Sequence, residues 1–430
     1  MSGFGARVAE AHRLGQLVVQ PRMGMSDPAV MRAGLLATRA AAATTVGTIT
    51  LDSYTRVGDH AGARAALESG AALNGYPITA HEPATTRRVL AGTASDGFPV
   101  QVRHGSAVPE EIVATVIRAG LHATEGGPIS YCLPYSRVPV QNSVRSWARC
   151  CEQLAALRST GVEPHLESFG GCMMGQLCPP SLLVAISVLE GLFFRGHGLR
   201  SISLSYAQQT SPEQDREAVL ALRTLAAELI GDLDLHVVIY TYMGVYPKTP
   251  GGATGLLADA ARLAVRTGAA RLIVKTVAEA HRIPTIAENV AALEAAALAA
   301  AGCVPDAVPA PDTGIYAEAR ALVEAVLNLR ADIGHALADA FRLGYLDVPF
   351  CLHPDNAGVA RSYLDTDGWL RWSRTGSMPL PPERRPGAAG ELTAAGLLAS
   401  LSFVERTYDE AAIEGCLTGA AGETKGANQR

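Results

Sequence analysis

The chain has 430 residues, 48% hydrophobic and 18% charged, with a net charge of −5. That apolar share excludes a disordered chain and allows a large buried core. Charges of both signs are scattered, and no basic run or polybasic amphipathic helix points to nucleic acid or a membrane surface.

The first seventeen residues, MSGFGARVAEAHRLGQL, lack the continuous apolar stretch of a signal peptide. The longest apolar runs, 181–194 and 289–304, are short and interrupted by glutamate, so neither is expected to span a bilayer. The cysteines are Cys132, Cys150, Cys151, Cys172, Cys178, Cys303, Cys351 and Cys416. None forms a CxxC pair and no histidine cluster lies beside them, so no metal site is expected. They read as reduced thiols of a cytoplasmic protein.

In chain order, strands are predicted at 17–20, 48–51, 99–102, 120–124, 164–168, 201–206, 235–240 and 271–275. Helical patterns lie between them. Residues 59–75 carry Ala and Leu at helical spacing, and 108–120 opens with Pro109 and two glutamates. Residues 143–161 stop at Gly161, and 211–231 start with a serine cap and proline. Segments 252–267 and 285–301 also read as helices. Eight strands alternating with helices predict a (β/α)8 TIM barrel in the α/β class. The competing open doubly wound sheet favours a GxGxxG turn after its first strand, and none is present. A helix is expected from about 314 to 343. Residues 1–345 are taken as the barrel carrying the site, and 346–430 as a small α+β appendage with a shorter helix near 391–405 and a disordered tail at 419–430.

Barrel active sites lie where strands run into loops at their C-terminal ends. The first three strands run into Arg22, Arg56, and Arg103 with His104. The fourth runs toward Glu125, Tyr131 and Tyr135, and the eighth toward Lys275 and Glu279. Three arginines at one mouth repel one another and need a dianion, and a planar guanidinium grips carboxylate or phosphate through two parallel bonds. Phosphate is more often held by backbone amides at a helix N-terminus, so three side-chain forks favour a dicarboxylate. Glu125 beside them suits binding an amino group or removing its proton. The plainer reading makes Glu125 a structural partner of the arginines, and Tyr54, Tyr131 and Tyr135 wall aromatics. Lys275 has three open roles: imine former, exposed lysine, or donor to a cofactor. His165, His197 and His353 show no ligand spacing.

The stretches QPRMG, SYTR, LNGYP, QVRHG, EGGPISYxxPY, MGVYP, IVKTVAEAHRIP and DVPF, in this order between about 16 and 380, resemble the large (epsilon) subunit of glutamate mutase, or methylaspartate mutase. The resemblance implies a barrel that works with adenosylcobalamin and interconverts L-glutamate and (2S,3S)-3-methylaspartate by radical rearrangement, an isomerase activity. It implies that Arg22, Arg56 and Arg103 clasp the substrate carboxylates beside His104, that Glu125 meets the amino group, and that Tyr131 and Tyr135 complete the pocket. Gly24, Asn74, Pro134, Phe169, Tyr246, Lys275, Glu279 and Ile283 fall where the family touches its cofactor, with Lys275 and Glu279 at the ribose. The chain begins later than typical members. Tyr240 and Tyr246 stand where histidine and phenylalanine are usual, both expected near the cofactor. The chain has no DxHxxG, and GDHAG at 58–62 lacks the spacing. The cobalt-ligating histidine is therefore expected from a small cobalamin-binding subunit that caps the barrel, in a heterotetramer built on a homodimer of large subunits. Other readings are a cobalamin-independent lyase or aldolase using Lys275, and a non-catalytic paralogue.

Overall fold

Eight short parallel strands make the frame of the computed structural model, which describes residues 3–173, 177–307, 310–382 and 393–426, with side chains in the last segment only as far as 414. The strands are β1 Val18–Gln20, β2 Gly47–Thr50, β3 Val100–Arg103, β4 Ala123–Gly126, β5 His165–Ser168, β6 Ser201–Ala207, β7 Asp234–Tyr240 and β8 Arg271–Ile273. Their order is β1-β8-β7-β6-β5-β4-β3-β2. The remaining seam, between β1 and the start of β2, is closed by a parallel bridge from Val19 to Thr45. There the Val19 N–H donates to the Thr44 carbonyl at 2.9 Å. The sheet thus meets itself as a (β/α)8 barrel.

The fourth strand starts later than the 120–124 run suggests. Gly120, at φ +82°, ends the preceding helix, and Leu121 packs outward with Ile112 and Val116. The strand therefore begins at Ala123 and contains Glu125 within it.

Helices α1 Phe4–Arg13, α2 Pro28–Ala40, α3 Ser53–Arg56, α4 His60–Glu68, α5 Pro83–Leu90, α6 Glu110–Arg118, α7 Val140–Ala156, α8 Pro180–Gly196, α9 Pro212–Ile230, α10 Pro250–Thr267 and α11 Ile286–Ala301 follow or connect the strands. Their starts carry the expected chemistry. Asp27 accepts from two N–H groups of α2, Ser211 caps α9, and Thr285 with Glu288 forms a capping box on α11. The predicted helix over 314–343 is two, α12 Ile315–Leu327 and α13 Ile333–Leu343, because Asp332 caps a fresh start by accepting from the His335 N–H at 2.8 Å. A hairpin of β9 Arg361–Leu364 and β10 Leu370–Arg374, then α14 Ala394–Leu401 and α15 Phe403–Gly426, complete the chain. Helix α15 reaches Gly426, inside the tail expected to be disordered. Residues 427–430 lie outside the described residues. No helix among the described residues is long and apolar enough to cross a membrane.

The barrel interior is unusually polar. Strand side chains alternate in and out. Gln20, Gln101, Glu167, Ser203 and Arg271 are all fully buried and hydrogen-bonded to one another. Two residues further along their strands, in the same phase, come Arg22 and Arg103, and on β4 Glu125 sits level with Glu167.

Candidate active site

Arg22, Arg56 and Arg103 line one cavity at the C-terminal end of the barrel, together with Thr50, His104, Glu125, Tyr131, Tyr135 and Phe169. Arg22 and Arg103 follow from the strand phase. Arg56 arrives differently: Asp52 ends the second strand by accepting from the Thr55 N–H at 3.0 Å, which starts the one-turn α3 that carries Arg56 inward. The Arg56 Nε–H donates to the Leu51 carbonyl at 2.9 Å, and among the described residues no carboxylate pairs with it. Burial lowers the Arg56 pKa, and the charges of Arg103 and Arg22 push the same way against Tyr131 and Tyr135. This is the signature of a cation cluster that favours an incoming anion.

Glu125 is 1% exposed and receives three donors. Arg103 Nε donates to Oε2 at 2.7 Å, Tyr240 OH to Oε2 at 2.8 Å, and Tyr131 OH to Oε1. Burial opposes the Arg103 charge, but Glu125 outweighs it and holds the guanidinium well above its ordinary pKa. His104 is neutral: burial and then the Arg56 charge push its pKa to about 3. The Ser106 N–H donates to His104 Nδ1 at 3.1 Å, which assigns the ring proton to Nε2. That Nε2–H makes no full hydrogen bond among the described residues, but the Glu125 backbone lies near enough to the ring to oppose the shift, and it is a neutral donor beside the arginines.

The loop carrying Tyr131 is fixed from behind. Glu190, the single acid of α8, accepts from the N–H groups of Ile129 and Ser130 at 3.0 and 2.8 Å, and from the hydroxyls of Ser130 and Ser168 at 2.9 and 2.7 Å. Gly126, at φ +130°, lets the strand end pass under Tyr131 and Trp147, which a Cβ there would approach to 2.4 and 2.5 Å.

A second group sits beside the first. Glu279 accepts from Arg22 Nη1 at 3.0 Å and lies 3.7 Å from Lys275 Nζ. Lys275 Nζ also stands 4.4 Å from the centroid of the Tyr246 ring. Burial lowers Lys275 to a pKa of about 8, with Arg22 pushing the same way against Glu279. The Tyr246 hydroxyl is buried without a partner among the described residues. Phe169 is buried against Tyr131 and Tyr240, Pro134 is half-buried, and Ile283 and Asn74 are exposed on the loops around the mouth. Asn74 Oδ1 accepts from the Ser53 N–H at 2.9 Å and so steadies α3. A Cβ on Gly24 would come within 2.0 Å of the Thr50 carbonyl, so contact with the second strand is enough to require glycine there.

Tyr240 is fully buried and bonded to Glu125, beside the arginines. Tyr54 is 39% exposed, outside the cavity wall. Sequence reasoning missed the Glu167–Arg271 ion pair and Glu190. Polar residues in phase within apolar strands, and one glutamate inside an apolar helix, were the available signals. No group of three metal-ligating side chains occurs among the described residues.

Fold and cavity together define a (β/α)8 barrel with three arginines at its mouth. The methylaspartate mutase E chain model matches residues 2–396, and the chain belongs to that mutase family. It is 32% identical over 352 residues to the glutamate mutase epsilon subunit of Escherichia coli O157:H7, covering 78% of this chain and 72% of that one. It is 29% identical over 396 residues to the protein of the same name from Treponema denticola, covering 87% and 80%. Among solved structures, HMG-CoA lyase from Brucella melitensis aligns over 67% of this chain and 98% of that one, with a TM-score of 0.39 and 12% identity.

Proposed function

We propose that the chain is the large, substrate-binding subunit of an adenosylcobalamin-dependent mutase that interconverts L-glutamate and (2S,3S)-3-methylaspartate. The observation that carries this reading is the convergence of Arg22, Arg56 and Arg103 on one cavity floored by Glu125. Two carboxylates and one ammonium match three guanidiniums and one carboxylate in kind. The arginines hold both carboxylates while the carbon skeleton rearranges, and a guanidinium serves there as a grip with no proton to transfer. His104 Nε2–H adds a neutral donor, and Glu125 faces the ammonium.

The neighbouring group suits the ribose of the cofactor. Lys275 offers donors, Glu279 an acceptor, and the unpartnered Tyr246 hydroxyl a further polar atom. Bound adenosylcobalamin supplies a carbon radical by homolysis of its cobalt–carbon bond. The rim supports a capping partner. Tyr54 on α3, and Val57, Val108, Tyr135, Val245 and Ile283 on loops, are large apolar side chains exposed at this one face. The family relatives are named as a subunit, and this chain has no DxHxxG, so we assign the cobalt ligand to a small cobalamin-binding subunit seated on that rim, in a heterotetramer.

Reconstitution of the chain with such a subunit, adenosylcobalamin and L-glutamate tests the reading. Formation of 3-methylaspartate, dependent on all three additions, is expected. Turnover without cobalamin, or trapping of substrate on Lys275 by borohydride, refutes it in favour of a lyase or aldolase.

A further inference from the structure

We propose that Tyr240 is a positioning residue that sets the preference for amino-bearing substrates by fixing the Glu125 carboxylate, with Glu167 and Arg271 as its backing. The proposal rests on the reading of Glu125 as the partner of the substrate ammonium.

The geometry is a relay through the barrel axis. Tyr240 OH stands 2.8 Å from Glu125 Oε2 and also within hydrogen-bond reach of Glu167 Oε1. Glu167 Oε2 is held in turn by Arg271 Nη2, by Ser203 Oγ at 3.1 Å and by Gln101 Nε2 at 3.3 Å. The tyrosine ring is locked as well. Phe169 meets it edge-on at 5.4 Å between centroids, and the Arg103 guanidinium carbon lies 5.2 Å from its centroid. All of these groups are buried.

A phenol carries one proton and cannot donate to two carboxylates at once. Glu125 and Glu167 therefore compete for the Tyr240 proton. Arg271 meets the charge on Glu167 as Arg103 meets that on Glu125, so the hydroxyl sits between two paired carboxylates and ties the position of one to the other. Glu125 is then held by Tyr131 on one oxygen and by Arg103 and Tyr240 on the other, and its orientation toward the cavity is set by three donors from three elements. Without the Tyr240 hydroxyl, the carboxylate turns toward Arg103 and presents less charge to an ammonium. Carboxylate binding by Arg22 and Arg56 does not pass through this relay.

The test uses equilibrium binding of L-glutamate and of glutarate, which lacks the amino group, to the full chain. Tyr240→Phe is expected to weaken L-glutamate about tenfold, the size of one hydrogen bond to a charged group. Glutarate is expected to change by less than about twofold, because of the three arginines only Arg103 touches Glu125, and that ion pair stays in the variant. In a Glu125→Gln background, Tyr240→Phe is expected to add nothing. Glu167→Gln converts the rival acceptor into a donor toward the tyrosine oxygen, and the preference for L-glutamate is expected to hold or rise. Equal weakening of both ligands by Tyr240→Phe, or the same loss in the Glu125→Gln background, overturns the inference. So does a Glu167→Gln chain that loses the preference as Tyr240→Phe does. If Glu125→Gln itself leaves the ratio of the two affinities unchanged, the ammonium reading of Glu125 fails instead. Absence of L-glutamate binding by the unmodified chain overturns both.

Discussion

Lys275 is held charged in a place that disfavours charge, and Lys275→Met exposes the consequence. Its side chain is 7% exposed, and burial together with Arg22 brings its pKa from 10.5 to about 8 against the pull of Glu279. At about 1.4 kcal/mol per pH unit, this makes the ammonium about 3 kcal/mol less favourable in the folded chain than in the unfolded one. Below pH 8 both states are protonated and the whole penalty is present. Between 8 and 10.5 the folded chain has shed the proton and the unfolded chain has not, so stability rises with pH. Above 10.5 the penalty is gone. Methionine fills the same volume without the charge, at the loss of a cation–π contact worth about 1 kcal/mol. Glu279 keeps Arg22 as its partner at 3.0 Å. The variant is therefore expected to be about 2 kcal/mol more stable at pH 7, the gap closing toward pH 10.5. Urea unfolding of both chains at pH 7, 8.5 and 10 measures it. A variant no more stable than the parent at pH 7, or a gap that stays constant with pH, refutes the reasoning. Activity of the reconstituted enzyme is expected to fall in the same variant, because a residue kept against its own stability cost belongs to the site.

Arg56→Lys is expected to lower reconstituted turnover by well over tenfold, because a point charge cannot reproduce a two-bond fork; near-normal turnover contradicts the three-arginine grip. Glu190→Ala leaves two buried backbone N–H groups without acceptors, at about 1–3 kcal/mol each. A loss of about 2–6 kcal/mol in chemical denaturation is expected, with near-full stability counting against the bracing of the Tyr131 loop.

The fold was legible where local pattern and tertiary role agree. The runs TITL and LHVVIY are strands because they are β-branched and buried, SISLSY because it alternates serine with larger apolar side chains, and β2, β6 and β7 fall on them within a residue or so at each end. The fourth strand slipped because GLHAT begins with a helix-ending glycine and an outward-packing leucine, and a pattern of five residues does not show which way a leucine faces. Helix 314–343 split at a cap that a continuous apolar pattern hides. At the site, Arg22 and Arg103 were legible because they stand at the ends of apolar runs, and Arg56 because it closes the polar stretch that follows TITL. Tyr240, Glu167 and Arg271 were not. They sit in three different strands, and barrel closure alone brings them into contact. Glu190 was visible as the single acid of SLLVAISVLEGLFF, but its use depends on a loop some sixty residues earlier, whose N–H groups it meets at 2.8 and 3.0 Å.

The polar barrel interior is better explained by the mouth above it than by stability. Glu167 and Arg271 are both fully buried, and taking two charges out of water offsets most of their attraction. Well-packed Leu and Ile at these positions, the usual filling of such barrels, would hold the strands at least as well. What aliphatic side chains cannot do is offer the Tyr240 hydroxyl under Glu125 a second polar partner. The strand period carries the rest of the argument. Because inward positions recur every second residue, Gln101 and Arg103 stack along one strand, and β4 and β5 bring Glu125 level with Glu167. The charges that face the cavity thus stand directly on the charges and amides of the interior, and the same backbone register that closes the barrel sets the orientation of the carboxylate at its mouth.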